Sequence, residues 1–459
     1  MSVIEQSVAQ VRSTFQAGIT KPLDWRIHQL RALDALVAEN AAVLDEALRK
    51  DLGKHEIESY LTETSMVRGE IAHTLKNLRK WLKPKPVTPS LAVLPANAYT
   101  LLEPLGVALI IAPWNYPVQL LLAPLVGALG AGNSVILKPS ELAPHTSRAL
   151  ASLIPQYLDT RAVQVIEGAV PETTQLLEQK FDHIFYTGNG RVGRIVMAAA
   201  AKHLTPVTLE LGGKSPTFVD DSEDLEAVAA RLAWGKFINA GQTCVAPDYV
   251  LAQAHIAHEL AYQLKLAVER LYGDVGSNNQ FGRIINQSQF DRLAGLLEQP
   301  CGTVVVGGES RKEDRFIAPT VLVDTPRDSA VMEQEIFGPI LPIVSVTDAA
   351  EAIEFINQGD KPLALYVFSN KREVRQQFLR DTSSGAITFG LPVAHLAISD
   401  LPFGGVGESG MGAYHGKKSV EIFSHEKSVV SKPLKPDTMA LVYPPFESKK
   451  ISLVRKLLG

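Results

Sequence analysis

Cysteine is scarce in this chain, which has two, Cys244 and Cys301, among 459 residues. A chain of this length buries enough apolar surface without covalent staples, so the two read as free thiols in a reducing compartment. Basic charge is not in excess either. Lys and Arg number 45 against 49 Asp and Glu, a formal net charge of -4, which offers no field to a nucleic acid. The eleven histidines include no pair at metal-ligand spacing, and no metal site is expected. Met1 to Gln10 lacks a basic region followed by an apolar core and carries Glu5, so no secretory signal is expected and the location is read as cytoplasmic. A clean membrane-length run is missing too. From Pro104 to Leu137 no residue is charged, but Pro113, Asn115, Pro117, Pro124 and four glycines break that stretch. It cannot form one lipid-exposed helix, and it reads as a buried strand, turn, helix and strand. The basic tail, Lys449 to Leu458, has no hydrophobic anchor, so stable membrane insertion is not expected.

What is present is the balance of a globular protein, 46% hydrophobic and 20% charged, long enough for two or three domains. Residues 1 to about 82 carry apolar positions at helical spacing, as in Leu30, Leu33, Leu36 and Val37. The cluster Lys83 to Pro89 ends that layer, and Leu91 to Leu102 favours an extended arm. From Gly106 strands and helices alternate. Strands are expected at Gly106 to Ala112, Ser134 to Lys138, Ala162 to Ile166 and His183 to Tyr186. Helices are expected at Val118 to Leu129, His145 to Leu158, Glu172 to Gln179 and Val192 to Lys202. This alternation calls for an α/β fold with a parallel sheet covered on both faces, whose ligands sit at the carboxyl ends of strands. The strand Val207 to Leu211 leads into a second such unit, with strands Thr217 to Val219 and Val304 to Val306, and helices Leu225 to Phe237, His258 to Leu271 and Ala349 to Asn357. Ser383 to Gly412, rich in glycine and small residues, reads as loop over a cleft, and the tail from Lys432 as extended.

The turns after strands carry the chemistry. Cys244 ends the segment Asn239-Ala240-Gly241-Gln242-Thr243-Cys244, at the end of a helical run. A thiol so presented is a candidate nucleophile, although a lone cysteine can equally be a small buried hydrophobe. Asn115, framed by Pro113-Trp114 and Tyr116-Pro117, offers an amide to a developing oxyanion, or else a cap for the next helix. Lys138 and Glu141, in Lys138-Pro139-Ser140-Glu141, stand where a nucleotide-binding sheet contacts ribose hydroxyls, or are surface charges. Gly188-Asn189-Gly190-Arg191-Val192-Gly193 has the G-x-G-x-x-G spacing between strand and helix of a phosphate-binding turn. Glu210 is an acid inside an apolar strand. Burial raises a carboxyl pKa toward the range of a general base, and a structural hydrogen-bond network is the alternative.

In this order and spacing, the segments PWNYP, KPSE, LELGGKSP, GQTC, EIFGP and LPFGGVGESGMG resemble the NAD(P)-dependent aldehyde dehydrogenase superfamily over nearly the whole chain. GQTCVAPDY, GMGAYHGKKS and YPPF look most like its class 3 branch, whose members act on fatty and aromatic aldehydes. The resemblance implies Cys244 as nucleophile, Glu210 as general base, and Asn115 with the Cys244 N–H as oxyanion hole. It implies NAD or NADP as cofactor, contacted by Trp114, Lys138, Glu141, Gly188, Asn189, Gly190, Val192, Gly193, Glu335 and Phe337. Lys138 and Glu141 would hold the adenine-side ribose; Glu335 and Phe337 would hold the nicotinamide ribose and pack beside it.

The implied fold is a Rossmann-type cofactor domain over 1-209 with an arm at 84-102, a catalytic domain over 210-420, and an oligomerisation segment over 421-459, assembled as a homodimer. Two departures stand out. Gly190 stands where the family's phosphate turn usually has Thr or Ser, and the cationic Arg191 that follows would favour a 2′-phosphate that Glu141 would repel. Gly390-Leu391 replaces an Asn-Asp pair whose Asn would fix the catalytic loop, ahead of His395. Three alternatives remain beside aldehyde oxidation to the acid: transfer of the thioester to coenzyme A, a silent binding protein on the same scaffold, and a cofactor-independent cysteine hydrolase. Cys301 matches no motif and reads as structural.

Overall fold

A computed structural model describes residues 2-276, 278-445, 451, 452 and 455. Four longer helices, Val3–Gln16, Leu23–Glu39, Ala41–Leu52 and Ser65–Trp81, form the expected N-terminal layer. Leu30, Leu33, Leu36 and Val37 lie on one buried stripe, as their spacing requires. The uncharged stretch folds as the strand Val107–Ile111, the helix Gln119–Ala131 and the strand Ser134–Lys138. Among the described residues no helix is long and apolar enough to cross a membrane.

Val107–Ile111 is the centre of a six-stranded sheet. Ser134–Lys138 and Val163–Val165 extend it on one side, and His183–Thr187, Val207–Glu210 and Gly410–Met411 on the other. All pairs are parallel except the last. The chain therefore leaves the central strand first to one side and then to the other. The resulting switch point opens a crevice at the carboxyl ends of Val107–Ile111 and His183–Thr187. Side chains alternate across the sheet with period two: Val107, Leu109 and Ile111 join one core cluster, and Ala108, Ile110 and Ala112 the other.

The second unit is a seven-stranded sheet in the order Thr303–Val306, Thr320–Val323, Ile340–Val346, Tyr249–Gln253, Pro216–Val219, Ala364–Phe368 and Ala386–Phe389. Ala386–Phe389 corrects the expectation of continuous loop over Ser383 to Gly412. This short apolar run is hidden between glycines, and it pairs in parallel with Ala364–Phe368. A three-stranded antiparallel sheet joins Lys85–Val87, Asn97–Pro104 and Ser424–Ser431. The extended arm expected from Leu91 is interrupted by a 3-10 turn at Leu91–Val93, and the expected extended tail contains another at Thr438–Val442. Most of the basic tail from Lys449 lies outside the described residues. Cys301 is buried in the core and both cysteines are free.

Candidate active site

The helix Leu225–Phe237 leads into a tight turn, Ile238–Gly241, in which Asn239 and Ala240 both adopt left-handed backbone (φ 54° and 52°). Two consecutive non-glycine residues in that region are strained, and the fold must over-determine them. Here it does so with hydrogen bonds. The Asn239 amide donates to the carbonyls of Asn115 (2.9 Å) and Gln242 (3.1 Å). The fully buried Gln242 side chain donates to Asn239 O and Arg283 O and accepts from the Ile285 N–H. Gly241 packs so closely on the next wall that a Cβ there would collide with the Gly338 carbonyl, which ties the GQTC turn to the EIFGP turn. After Cys244 the chain is held by Tyr366, whose hydroxyl donates to Val245 O at 2.5 Å.

Asn115 sits beyond the carboxyl end of the central strand Val107–Ile111, buried, and it does not cap the helix that follows. Its Nδ2 donates to Gln242 O at 3.0 Å, so one N–H is tethered to the cysteine loop and the other remains for a ligand. The neighbouring Tyr116 hydroxyl is 2.6 Å from the Thr243 hydroxyl. Cys244, a free thiol, is a partly exposed residue. Burial, reinforced by the charges of Glu335 and Glu210, pushes this thiol up to about 12. In the cofactor-free protein it is therefore a neutral thiol that requires a base.

Glu210 ends the strand Val207–Glu210 and is buried, with neither carboxylate oxygen hydrogen-bonded among the described residues. Burial alone holds its carboxyl well above the usual range. An unpartnered buried carboxyl is costly, and the structural-network alternative for this residue has no hydrogen bonds to support it.

A cleft of about 540 Å³ is bordered by Asn189, Gly190, Gly212, Lys214, Glu335 and Ser409, among others. The helix after His183–Thr187 begins at Gly190, two residues earlier than the sequence pattern suggests, because Asn189 caps it by accepting from Val192 N at 3.0 Å. Gly190 and Arg191 are thus the first helical residues, whose N–H groups have no partner within the helix and suit an anion. Val192 is engaged by the cap, the Gly188 N–H bonds the Glu210 carbonyl, and Gly193 faces Leu211 where the helix packs on the sheet. Burial lowers the Lys138 pKa; its ammonium bonds Pro139 O at 2.8 Å and lies 3.4 Å from Glu141. Glu335 lies against Gly212. Its pKa is raised to about 8, chiefly by burial and then by Asp248. Trp114 and Phe337 meet edge to face at 5.4 Å.

Sequence reasoning assigned no role to Gln242, Asn239, Tyr366, Lys214 or Asp248. Lys214 bridges Asp248 to the carbonyls of Val331 and Gln334, while Asp248 accepts from Ile336 N, so together they hold the segment bearing Glu335. The only available signal was position, since Gln242 and Asp248 flank the cysteine and Lys214 follows the glycines after Glu210. At the other departure, Gly390 takes φ 72°, and its carbonyl accepts from Arg231 at 2.6 Å. Backbone at this φ suits glycine, and the Arg231 guanidinium is the support found there. Both ring nitrogens of the half-buried His395 are out of solvent and unbonded among the described residues, and desolvation lowers its pKa to about 4.

A thiol, a tethered amide and a carboxyl unpaired among the described residues, carried on a doubly wound parallel sheet, define the class of protein: a cysteine-dependent enzyme on a dinucleotide-binding fold. The chain belongs to the aldehyde dehydrogenase family, whose profile matches residues 2-429, and within it to the class 3-like branch. It is 49% identical over 451 residues to the "Aldehyde dehydrogenase, dimeric NADP-preferring" of Rattus norvegicus, covering 98% of this chain and 99% of that one. It is equally 49% identical over 456 residues to "Aldehyde dehydrogenase family 3 member B1" of Homo sapiens, covering 99% and 97%. Among solved structures, the substrate-bound state of Staphylococcus aureus AldH superposes with a TM-score of 0.97 at 40% identity, covering 100% of both chains.

Proposed function

We propose that this enzyme oxidises fatty or aromatic aldehydes to carboxylic acids with NAD or NADP, as a cytoplasmic homodimer. The observation that carries the reading is the joining of Asn115 and the Cys244 loop through Gln242 O, with the unpartnered Glu210 carboxyl close enough to raise the thiol pKa.

The residues fit a dinucleotide. Gly190 and Arg191 supply helix-start N–H groups for a pyrophosphate, Lys138 and Glu141 a donor and an acceptor for one ribose, and Glu335 an acceptor for the other. Trp114 and Phe337 form an aromatic wall beside it. When bound, the cofactor supplies the two-electron acceptor. The Cys244 thiol gives its proton to the Glu210 carboxylate, which passes it to solvent, as the sulfur bonds to the aldehyde carbon, and the carbonyl oxygen gains charge that the free Asn115 N–H and the Cys244 N–H stabilise. Once the carbon is oxidised to a thioester, Glu210 takes a proton from water, whose oxygen adds to that carbon. The C–S bond then breaks, the acid leaves and the thiol is restored. A base at Glu210 favours hydrolysis over transfer to coenzyme A.

The division into 1-209, 210-420 and 421-459 follows the two large sheets except that Gly410–Met411 returns to the first one, and the arm sheet between Lys85 and Ser431 is the dimer surface. Its outer strand Ser424–Ser431 leaves an open edge with Val430 exposed, suited to a second copy. For the cofactor, Arg194 is taken up by Glu408, whereas Arg191 has no acidic partner among the described residues, which supports use of NADP beside NAD.

The test is the near-ultraviolet absorbance of reduced nicotinamide when the protein meets aliphatic, aromatic and long unsaturated aldehydes with each cofactor, without coenzyme A. Absorbance should rise, and Cys244→Ala should bind cofactor but give no rise. Silence with every aldehyde and both cofactors overturns the reading. Light scattering that reports a monomer overturns the dimer.

A further inference from the structure

The segment between the helices Ala41–Leu52 and Ser65–Trp81 is not a simple helix. It starts as one α-turn, Glu56–Ser59, and continues as a π-turn, Tyr60–Thr64. In an α-helix of 3.6 residues per turn, residues five apart point about 140° from each other, whereas i→i+5 bonding brings them toward one face. Glu58 and Glu63 are five apart, and here both feel the same ammonium, that of Lys54. The side chains of Lys54 and Glu63 are 0% exposed and form an ion pair at 2.6 Å. A charge pair so deep requires further partners, and every one named by the geometry leads toward the candidate catalytic loops.

Lys54 Nζ also donates to the Asn115 carbonyl at 3.3 Å and sits 4.2 Å over the Tyr116 ring. The second oxygen of Glu63 accepts from Val118 N (3.0 Å) and Gln119 N (2.9 Å), where the helix Gln119–Ala131 begins. Glu58 accepts from the N–H of Asn239, the strained residue whose amide bridges Asn115 O and Gln242 O. The chain on both sides of Asn115, and the turn leading to Cys244, therefore hang on one polar lattice whose charged end is supplied by the N-terminal helical layer.

We infer that Lys54 and Glu63 are positioning residues for the aldehyde reaction, fixing Asn115 and the Cys244 loop in one mutual orientation through the π-turn. They touch neither thiol nor amide nitrogen; they act through the Asn115 carbonyl and the first N–H groups of the helix that follows. The inference rests on the roles given above to Asn115 and Cys244.

The experiment replaces the pair together, Lys54→Met with Glu63→Met, because apolar residues of similar volume remove a buried ion pair with little loss of stability. Cofactor affinity, measured by fluorescence quenching, should stay within about twofold. The pre-steady-state burst of reduced cofactor and kcat should both fall at least about tenfold with KM little changed, on the scale of a misplaced oxyanion donor. Glu63→Gln keeps the volume and an oxygen for Val118 and Gln119, and it carries the same measurement should the pair variant not melt cooperatively. A burst rate equal to the parent's in a cooperatively melting variant overturns the inference, since a purely structural pair would lower Tm and leave the burst untouched. If Asn115→Ala is itself fully active, the underlying assignment fails; if it is slow while the pair variant is fast, only the present inference fails.

Discussion

Replacing Asn115 with alanine isolates the oxyanion donor, because the structure separates that residue's two jobs. Its backbone carbonyl, which accepts from Lys54 and Asn239, is retained in any substitution. Its side chain contributes one bond, to Gln242 O, and that carbonyl keeps a second donor in the Asn239 amide at 3.1 Å. The stability loss is therefore that of one hydrogen bond whose acceptor stays satisfied, about 1 kcal/mol, a fall in Tm of a few degrees at most. The loss in transition-state stabilisation is that of one preorganised donor, about 3 kcal/mol, or about two orders of magnitude in kcat. The assay is steady-state oxidation of an aldehyde substrate with saturating cofactor, paired with a thermal melt and a cofactor-binding titration. The expected pattern is kcat down about 100-fold, KM within a few-fold and cofactor affinity unchanged. A kcat within about threefold of the parent, with folding intact, would show that the amide holds no developing charge.

Four further outcomes follow from the same geometry. Glu210→Gln should release about one equivalent of reduced cofactor per site and then turn over on the order of 100-fold more slowly; a full steady-state rate excludes the role of base. The raised carboxyl of Glu210 makes the folded protein bind more protons than the unfolded chain above the ordinary carboxylate range, so this residue subtracts stability as pH rises. Glu210→Gln should accordingly melt higher than the parent at about pH 8, and an equal or lower Tm refutes the burial argument. Burial lowers His183 to about 3 and His415 to about 4, so stability present above the ordinary histidine pKa is lost as pH falls toward those values. The drop in Tm from about pH 7 to about pH 5 should be smaller in His183→Gln than in the parent, and an identical drop removes His183 from the account. Arg191→Ala should lower the ratio of NADP to NAD efficiency, and an unchanged ratio ends the case for a 2′-phosphate contact.

Local pattern was enough for much of the cofactor-side unit. The helix expected at His145 to Leu158 runs Pro144–Tyr157, and the strand expected at Ser134 to Lys138 has those bounds. Legibility fell where one local signal masked another. Glycines around Ala386–Phe389 concealed an edge strand, and the G-N-G-R run read as loop although Asn189 starts the helix there. In the second unit, Tyr249–Gln253, Thr320–Val323, Ile340–Val346 and Ala364–Phe368 escaped notice, because buried parallel strands are short apolar runs without alternation.

By itself the order of residues determined which groups are available: one thiol in a strained glycine turn, one amide between prolines, one acid in an apolar strand, and glycines where a helix starts after a strand. It determined the family too, because those segments recur at set spacings. What only the tertiary structure decided is the condition of those groups. Desolvation belongs to the surroundings and not to the residue, so the raised carboxyl of Glu210 and the neutral thiol of Cys244 exist only once the sheets pack around them. The same holds for Lys54 and Glu63, ordinary charges of a helical layer in sequence, which packing around a single π-turn buries as the anchor for Asn115, with the half-buried Glu58 beside them holding Asn239.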